Sequence, residues 1–179
     1  LYLDSDRMGY LKDAMTPEKV DGQRSVVMNE KRQSVDNAPY GKAWEYLMAN
    51  LFPEGHPYHH TTIGSMEDLQ AASYQDVLNF CDTYYVPNNA SLAIAGDINI
   101  EETIKLVEKY YNEIPMGKQV PPVNLVHAEL NENKVITLED KVQLPRLYMA
   151  WLSTAQYLPG DCESEILANI LAGGKNSRL

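Results

Sequence analysis

The chain has few cysteines, no basic block and no long apolar run, and each lack excludes something. Only Cys81 and Cys162 occur among 179 residues, which rules out a disulfide scaffold and a cysteine-rich zinc module. Lys and Arg total 15 against 25 Asp and Glu, a net charge of −10. An acidic chain without clustered Lys and Arg cannot neutralise a phosphate backbone, so nucleic acid is not an expected partner. No stretch approaches the roughly 18 apolar residues of a membrane span. No signal peptide is visible. The length suits about one domain, or two small ones, at roughly 100–200 residues per domain, and is enough to bury a core.

Helix signals fill the first two thirds. Leu3, Met8, Leu11 and Met15 form a partial helical stripe. Thr16-Pro17-Glu18 combines an N-cap, a first-turn proline and an acid at the positive end of the dipole, predicting a helix to about Ser34. Asp36-Asn37-Ala38-Pro39 is a turn. Tyr40, Ala43, Trp44, Leu47, Met48 and Leu51 give a second strong helix, ended by Pro53 and Gly55. Ser65 with Asp68, and Ser73 with Asp76, carry the capping-box spacing. Val77, Phe80, Cys81 and Tyr84 then share one helical face. Asn99 caps a helix with Ile100, Ile104, Val107 and Tyr111 aligned. Asp161 is expected to cap a last helix with Ile166, Leu167, Ile170 and Leu171 inward and Gly173-Gly174 as its stop.

Three segments read as strands: Ala90 to Ala95, Lys134 to Leu138, and Leu147 to Leu152, the last two joined by a polar turn. Between Pro115 and Asn131 the prolines and absent period read as a linker. Helices and strands mix without regular alternation. The expected class is therefore α+β, with helices packed on a mostly antiparallel sheet.

Three constellations could carry chemistry. Glu30, in Asn29-Glu30-Lys31-Arg32-Gln33-Ser34, shares a helix face with Gln23, Val26 and Ser34. Periodicity alone reads it as a solvated carboxylate near Arg24 or Arg32. If it were buried, it would need a cation, a donor or a metal. His56-Pro57-Tyr58-His59-His60 has two His at i and i+4, but Gly55 and Pro57 make it a loop and no carboxylate lies within the spacing. Local packing and hydrogen bonding are the expected roles of these histidines. Gly173-Gly174-Lys175-Asn176-Ser177 follows a helix instead of opening one, so it does not make a phosphate loop. Neither Cys81 nor Cys162 has a nucleophile's context, and no GxSxG occurs.

Five segments, read in order, resemble the pitrilysin/insulinase-like zinc peptidases, whose inverted motif is H-x-x-E-H. They are Leu3 to Gly9; Asn29 to Ser34 with Asp36 to Gly41; Gly55 to Tyr58 with Ile63-Gly64; Tyr84 to Ala90 running to Ala95-Gly96-Asp97-Ile98; and Leu171 to Leu179. The resemblance covers nearly the whole chain. It implies a zinc held by the two His of the motif and one distant Glu, with the motif's own Glu activating water. It places the distant ligand at Glu30. Some relatives carry a further acid two turns earlier; here that position is Gln23.

The resemblance puts H-x-x-E-H roughly 75–80 residues before the distant ligand. Only 29 residues precede Glu30. We therefore expect a fragment of a zinc metalloendopeptidase that is inactive alone, with no catalytic residue of its own and Glu30 as its metal ligand. The alternative is a noncatalytic peptidase-like subunit acting as a scaffold. Residues 1–115 are expected to be the later part of one half-domain, 116–132 a Pro-rich linker and 133–179 the start of the next. Expected partners are a peptide substrate, bound as an added strand, and the remainder of the polypeptide or a partner subunit. Zn2+ belongs to the intact enzyme and is not expected to stay on this chain alone. The resemblance points to a bacterial periplasm or cell envelope.

Overall fold

The computed structural model describes residues 1–179, and regular structure in it is entirely helical. In chain order the helices are α1 (Tyr2–Ala14), α2 (Pro17–Lys31), α3 (Ala43–Leu51), α4 (Met66–Ala71), α5 (Tyr74–Tyr84), α6 (Ile100–Tyr111) and α7 (Asp161–Ala172). A π-helical turn, Arg32–Asp36, continues α2 directly, and a 3-10 turn covers Pro87–Asn89.

The caps explain where most helices begin. Thr16 accepts from the Lys19 N–H at 3.3 Å, and Pro17 occupies the first turn of α2. Ser65 accepts from the Asp68 N–H at the start of α4. At α5 the capping box is complete: Ser73 Oγ accepts from the Asp76 N–H, and Asp76 Oδ2 accepts from the Ser73 N–H at 2.8 Å. Asn99 Oδ1 accepts from the Glu102 N–H at the start of α6. At α7 the boundary residue is Gly160, whose φ of 97° suits glycine, and Asp161 is the first helical residue. Its Oδ2 accepts from the Tyr157 N–H at 2.7 Å, so Asp161 fastens the preceding turn instead of capping.

The expected antiparallel sheet is absent, and the α+β class is corrected to a helical one. Residues 90–95, 134–138 and 147–152 form no strand. An extended segment becomes a strand only when a neighbour takes its N–H and C=O groups, and these find no ladder. The turn between the last two segments is engaged elsewhere. Asp140 Oδ2 accepts from the Tyr40 N–H at 2.9 Å, and the Leu144 carbonyl accepts from the Tyr40 hydroxyl at 2.7 Å. The Arg146 guanidinium lies 4.0 Å over the Tyr40 ring. Pro145, which has no N–H, also works against a regular hairpin there.

The residues fall into two units. The first comprises Leu1–Asn37 and Ile63–Asn124. In it α2 packs against α4 and α5, and α1 against α6. Arg24 donates to the Ala72 carbonyl at 2.6 Å, tying α2 to the end of α4. Lys12 of α1 pairs with Asp82 of α5. Cys81 is the one buried apolar residue and marks the centre of this unit; Ser5 and Lys31 are buried as well. Asn88 receives the Gly117 N–H at 2.7 Å and donates to the Lys118 carbonyl at 3.1 Å. A Cβ on Gly117 would meet Val86 at 2.4 Å, so the close approach requires glycine.

The second unit comprises Ala38–Thr62 and Leu125–Leu179. It holds α3, α7 and the Tyr40 clamp. Lys134 donates to the Asn50 carbonyl at the end of α3. The apolar face of α7 does not point inward as its spacing predicts: Ile166, Leu167 and Ile170 are each more than half exposed. Amphipathic spacing says which face can be buried, and burial results only where a second surface covers it.

Candidate functional site

Glu30 is the last residue but one of α2 and is exposed. Its neighbours at i−4, i−3, i+3 and i+4 are Val26, Val27, Gln33 and Ser34, none of them cationic. The two arginines that the local sequence offers are engaged elsewhere. Arg24 pairs with Asp21 at 2.8 Å and with the Ala72 carbonyl. Arg32 donates to Asn29 Oδ1 at 2.9 Å. The Glu30 carboxylate itself has no hydrogen bond or ion pair within the chain.

Beyond Glu30 the helix loses its regular pitch. The Asn37 N–H reaches the Arg32 carbonyl at 2.8 Å, closing the wider ring of the π-helical turn. Ser34 Oγ donates to the Glu30 carbonyl at 2.7 Å. Lys31, next to Glu30, is 3% exposed. Burial of Lys31 fixes the rotation of α2, and Glu30, about 100° further round, faces outward. The predicted helix to Ser34 therefore ends three residues early as an α-helix, and the remainder is widened.

The His56 to His60 segment is a loop. His56 stacks on Phe52 with ring centres 4.6 Å apart, and Tyr58 meets Phe52 edge-on at 5.4 Å. The Tyr58 N–H donates to His56 Nδ1 at 3.0 Å, which leaves the His56 proton on Nε2. His59 Nδ1 donates to the Phe52 carbonyl at 2.8 Å. Both imidazoles thus serve local turns. Gly173 and Gly174 end α7 in a turn closed by the Ser177 N–H on the Gly174 carbonyl.

No three His, Cys, Asp or Glu side chains gather into a group able to hold a metal. Glu30 fits the part of a single ligand: an exposed, anionic oxygen donor with no partner. A catalytic zinc needs about three protein ligands, and this chain brings together one. The first unit has a cavity of about 210 Å3 lined by Met8, Leu11, Cys81, Val86, Ile114 and Met116. Burial pushes the Cys81 thiol up, with the Asp82 charge adding to the effect. The second unit has a cavity of about 290 Å3 lined in part by Asn50, Phe52, His59, His127, Glu129 and Lys134. Glu30 lines neither.

The sequence profile of the family described as Peptidase M16 inactive domain matches residues 71–179, more than half of the chain. This chain belongs to the M16 peptidase family. The resemblance to pitrilysin/insulinase-like zinc peptidases is thereby supported, and the M16 relatives bear it out by name. Zinc protease PqqE of Helicobacter pylori is 29% identical over 185 residues, covering 100% of this chain and 40% of that protein. The mitochondrial-processing peptidase subunit beta of Caenorhabditis elegans is 26% identical over 107 residues, covering 60% of this chain and 23% of that protein. The crystal structure of a protease from Helicobacter pylori superposes with a TM-score of 0.58 at 29% identity, over 62% of this chain and 27% of that one. The M16 chain described here thus spans about two fifths of the length of its Helicobacter pylori relative. Zinc proteases are prominent among its relatives, and no helix in it is long and apolar enough to cross a membrane.

Proposed function

We propose that this chain is part of a zinc-dependent M16 peptidase and supplies Glu30 as one ligand of the metal. The observation that carries the reading is the state of that carboxylate. It is exposed and has no hydrogen-bond or ion-pair partner within the chain. An exposed carboxylate whose nearby arginines are turned to other partners is suited to a cation from outside the chain.

The chemistry that zinc supplies in such sites is Lewis-acid polarisation of a carbonyl and activation of water for its attack. This chain's contribution is to hold and orient the carboxylate. Arg24 fixes α2 to α4, buried Lys31 fixes its rotation, and Glu30 is presented on the exposed side. The remaining ligands and the water-activating acid belong, on this reading, to an H-x-x-E-H segment outside these residues. Peptide hydrolysis is thus an activity of the intact protein, and residues 1–179 alone neither retain zinc nor cleave peptide.

Dialysis of residues 1–179 against zinc-free buffer, then metal analysis and a fluorogenic peptide assay, tests this. The expected result is far less than one zinc per chain and no chelator-sensitive cleavage. Stoichiometric zinc with cleavage would overturn it.

A noncatalytic subunit is the second reading. Its support is that the matched family profile is described as an inactive domain and that a relative is named as a subunit. An H-x-x-E-H in the parent gene product favours the enzyme; its absence there favours the subunit.

A further inference from the structure

Residues 114–118 run through the first unit as a strap. α6 ends at Tyr111, and the Ile114 N–H closes a turn on the Tyr111 carbonyl at 3.0 Å. From Pro115 to Lys118 no backbone group bonds to another backbone group. The side chain of Asn88 holds the strap instead. Its Oδ1 accepts from the Gly117 N–H at 2.7 Å, and its Nδ2 donates to the Lys118 carbonyl at 3.1 Å. Two glycines allow the close fit. A Cβ on Gly117 would meet three Val86 atoms at 2.4 to 2.9 Å, and a Cβ on Gly9 of α1 would press on Ile114 at 3.3 Å. The strap forms one wall of the cavity of about 210 Å3, and α1, α5 and the turn at Tyr85, Val86 and Pro87 form the others.

We propose that this cavity is a binding site for a small uncharged apolar molecule and that the strap is its removable wall. Met8, Leu11, Val86, Ile114 and Met116 give the cavity apolar sides. The two charged residues on it, Lys12 and Asp82, pair with each other and leave no net charge for an ionic ligand. Burial raises the Cys81 thiol, which stays neutral at neutral pH and behaves as one more small apolar group. An apolar cavity of about 150 Å3 stays dry and accepts benzene, and this one is somewhat larger. It is smaller than the roughly 300–1,000 Å3 of pockets for drug-sized ligands, so the occupant is small. A wall held by one side chain, with no backbone ladder, opens more easily than a packed helix. A ligand enters when the two Asn88 bonds release. Glu30 lines no part of this cavity, so the proposal is independent of the zinc reading.

The test uses the full chain with isotope-labelled methionine methyls, followed by NMR, and benzene as the probe. Met8 and Met116 line the cavity, whereas Met15, Met28, Met48, Met66 and Met149 do not. Titration is expected to move the Met8 and Met116 resonances saturably and to leave the other five in place. Shifts that are absent, linear in benzene, or equal at every methionine would overturn the site. Alkylation of Cys81 reads the strap, with the exposed Cys162 as internal reference. Saturating benzene is expected to slow Cys81 severalfold, and an unchanged rate would contradict binding beside the thiol. Asn88→Ala removes both strap bonds and is expected to speed Cys81 about tenfold, with Cys162 and the helix content by circular dichroism unchanged. Equal Cys81 rates in the wild type and Asn88→Ala would overturn the strap as the removable wall. If Asn88→Ala does not fold, Asn88→Asp decides, because it keeps the acceptor for Gly117 and loses the donor to Lys118. A faster Cys81 there supports the strap, and an unchanged one contradicts it.

Discussion

Arg32 donates its guanidinium to Asn29 Oδ1 at 2.9 Å and leaves Glu30, two residues back, without a cation. Side chains two apart on a helix do not face each other, so the pairing is a consequence of helix geometry. The same geometry says where a cation would interfere. Gln33 lies at i+3 from Glu30. In the intact protein, Gln33→Lys should compete with the metal for the Glu30 carboxylate, lowering zinc affinity about two- to threefold, the equivalent of about 0.5 kcal/mol. Gln33→Ala should leave it unchanged. Chelator competition on both variants checks this, and equal affinities would count against an open Glu30.

The two thiols should differ in reactivity. Cys162 is exposed, while Cys81 is buried and its thiol is pushed up by that burial. The thiolate is the nucleophile, so both accessibility and charge state slow Cys81. Iodoacetamide labelling with peptide mass mapping should show Cys162 modified at least about tenfold faster. Equal rates would mean that the centre of the first unit opens readily.

The capping box of α5 predicts a pH dependence. The Ser73 hydroxyl, and then the Ser73 backbone N–H, hold the Asp76 carboxyl below its ordinary value of 3.8. A carboxyl lowered in the folded state contributes stability that is present above its unfolded value and lost as pH falls through the folded one. The first turn of α5 should therefore loosen below about pH 3.8, seen as falling amide protection factors at Ser73 and Asp76. Asp76→Asn should remove the acid step. A wild-type protection pattern flat to pH 2 would contradict the assignment.

Local structure is legible in the sequence where one or two turns decide it. Thr16, Ser65, Ser73 and Asn99 each cap the helix that their spacing predicts. The loop at His56 to His60 is a consequence of Gly55 and Pro57. Features that depend on distant partners are not legible. Tyr40 takes a φ of 61°, uncommon for a residue with a side chain, and is held there by Asp140, Leu144 and Arg146 from about a hundred positions away. No local pattern announces that clamp, and it occupies the turn that apolar spacing assigns to a pair of joined strands. The apolar spacing of residues 90–95, 134–138 and 147–152 describes a surface that a ladder could use, and spacing cannot say that a ladder forms. Glu30 shows the same division. Its helix is predictable, whereas the engagement of Arg24 and Arg32 with other partners is visible only in the folded chain.

Zinc binding turns on one carboxylate, and metal content reads it directly. The intact protein and its Glu30→Gln variant, purified in parallel and dialysed against the same zinc-free buffer, are to be compared by inductively coupled plasma mass spectrometry. Circular dichroism confirms that both are folded. Loss of one ligand from three should take bound zinc from about one equivalent per chain to a small fraction of one. Equal zinc in the two proteins would contradict the assignment of Glu30 and the function built on it.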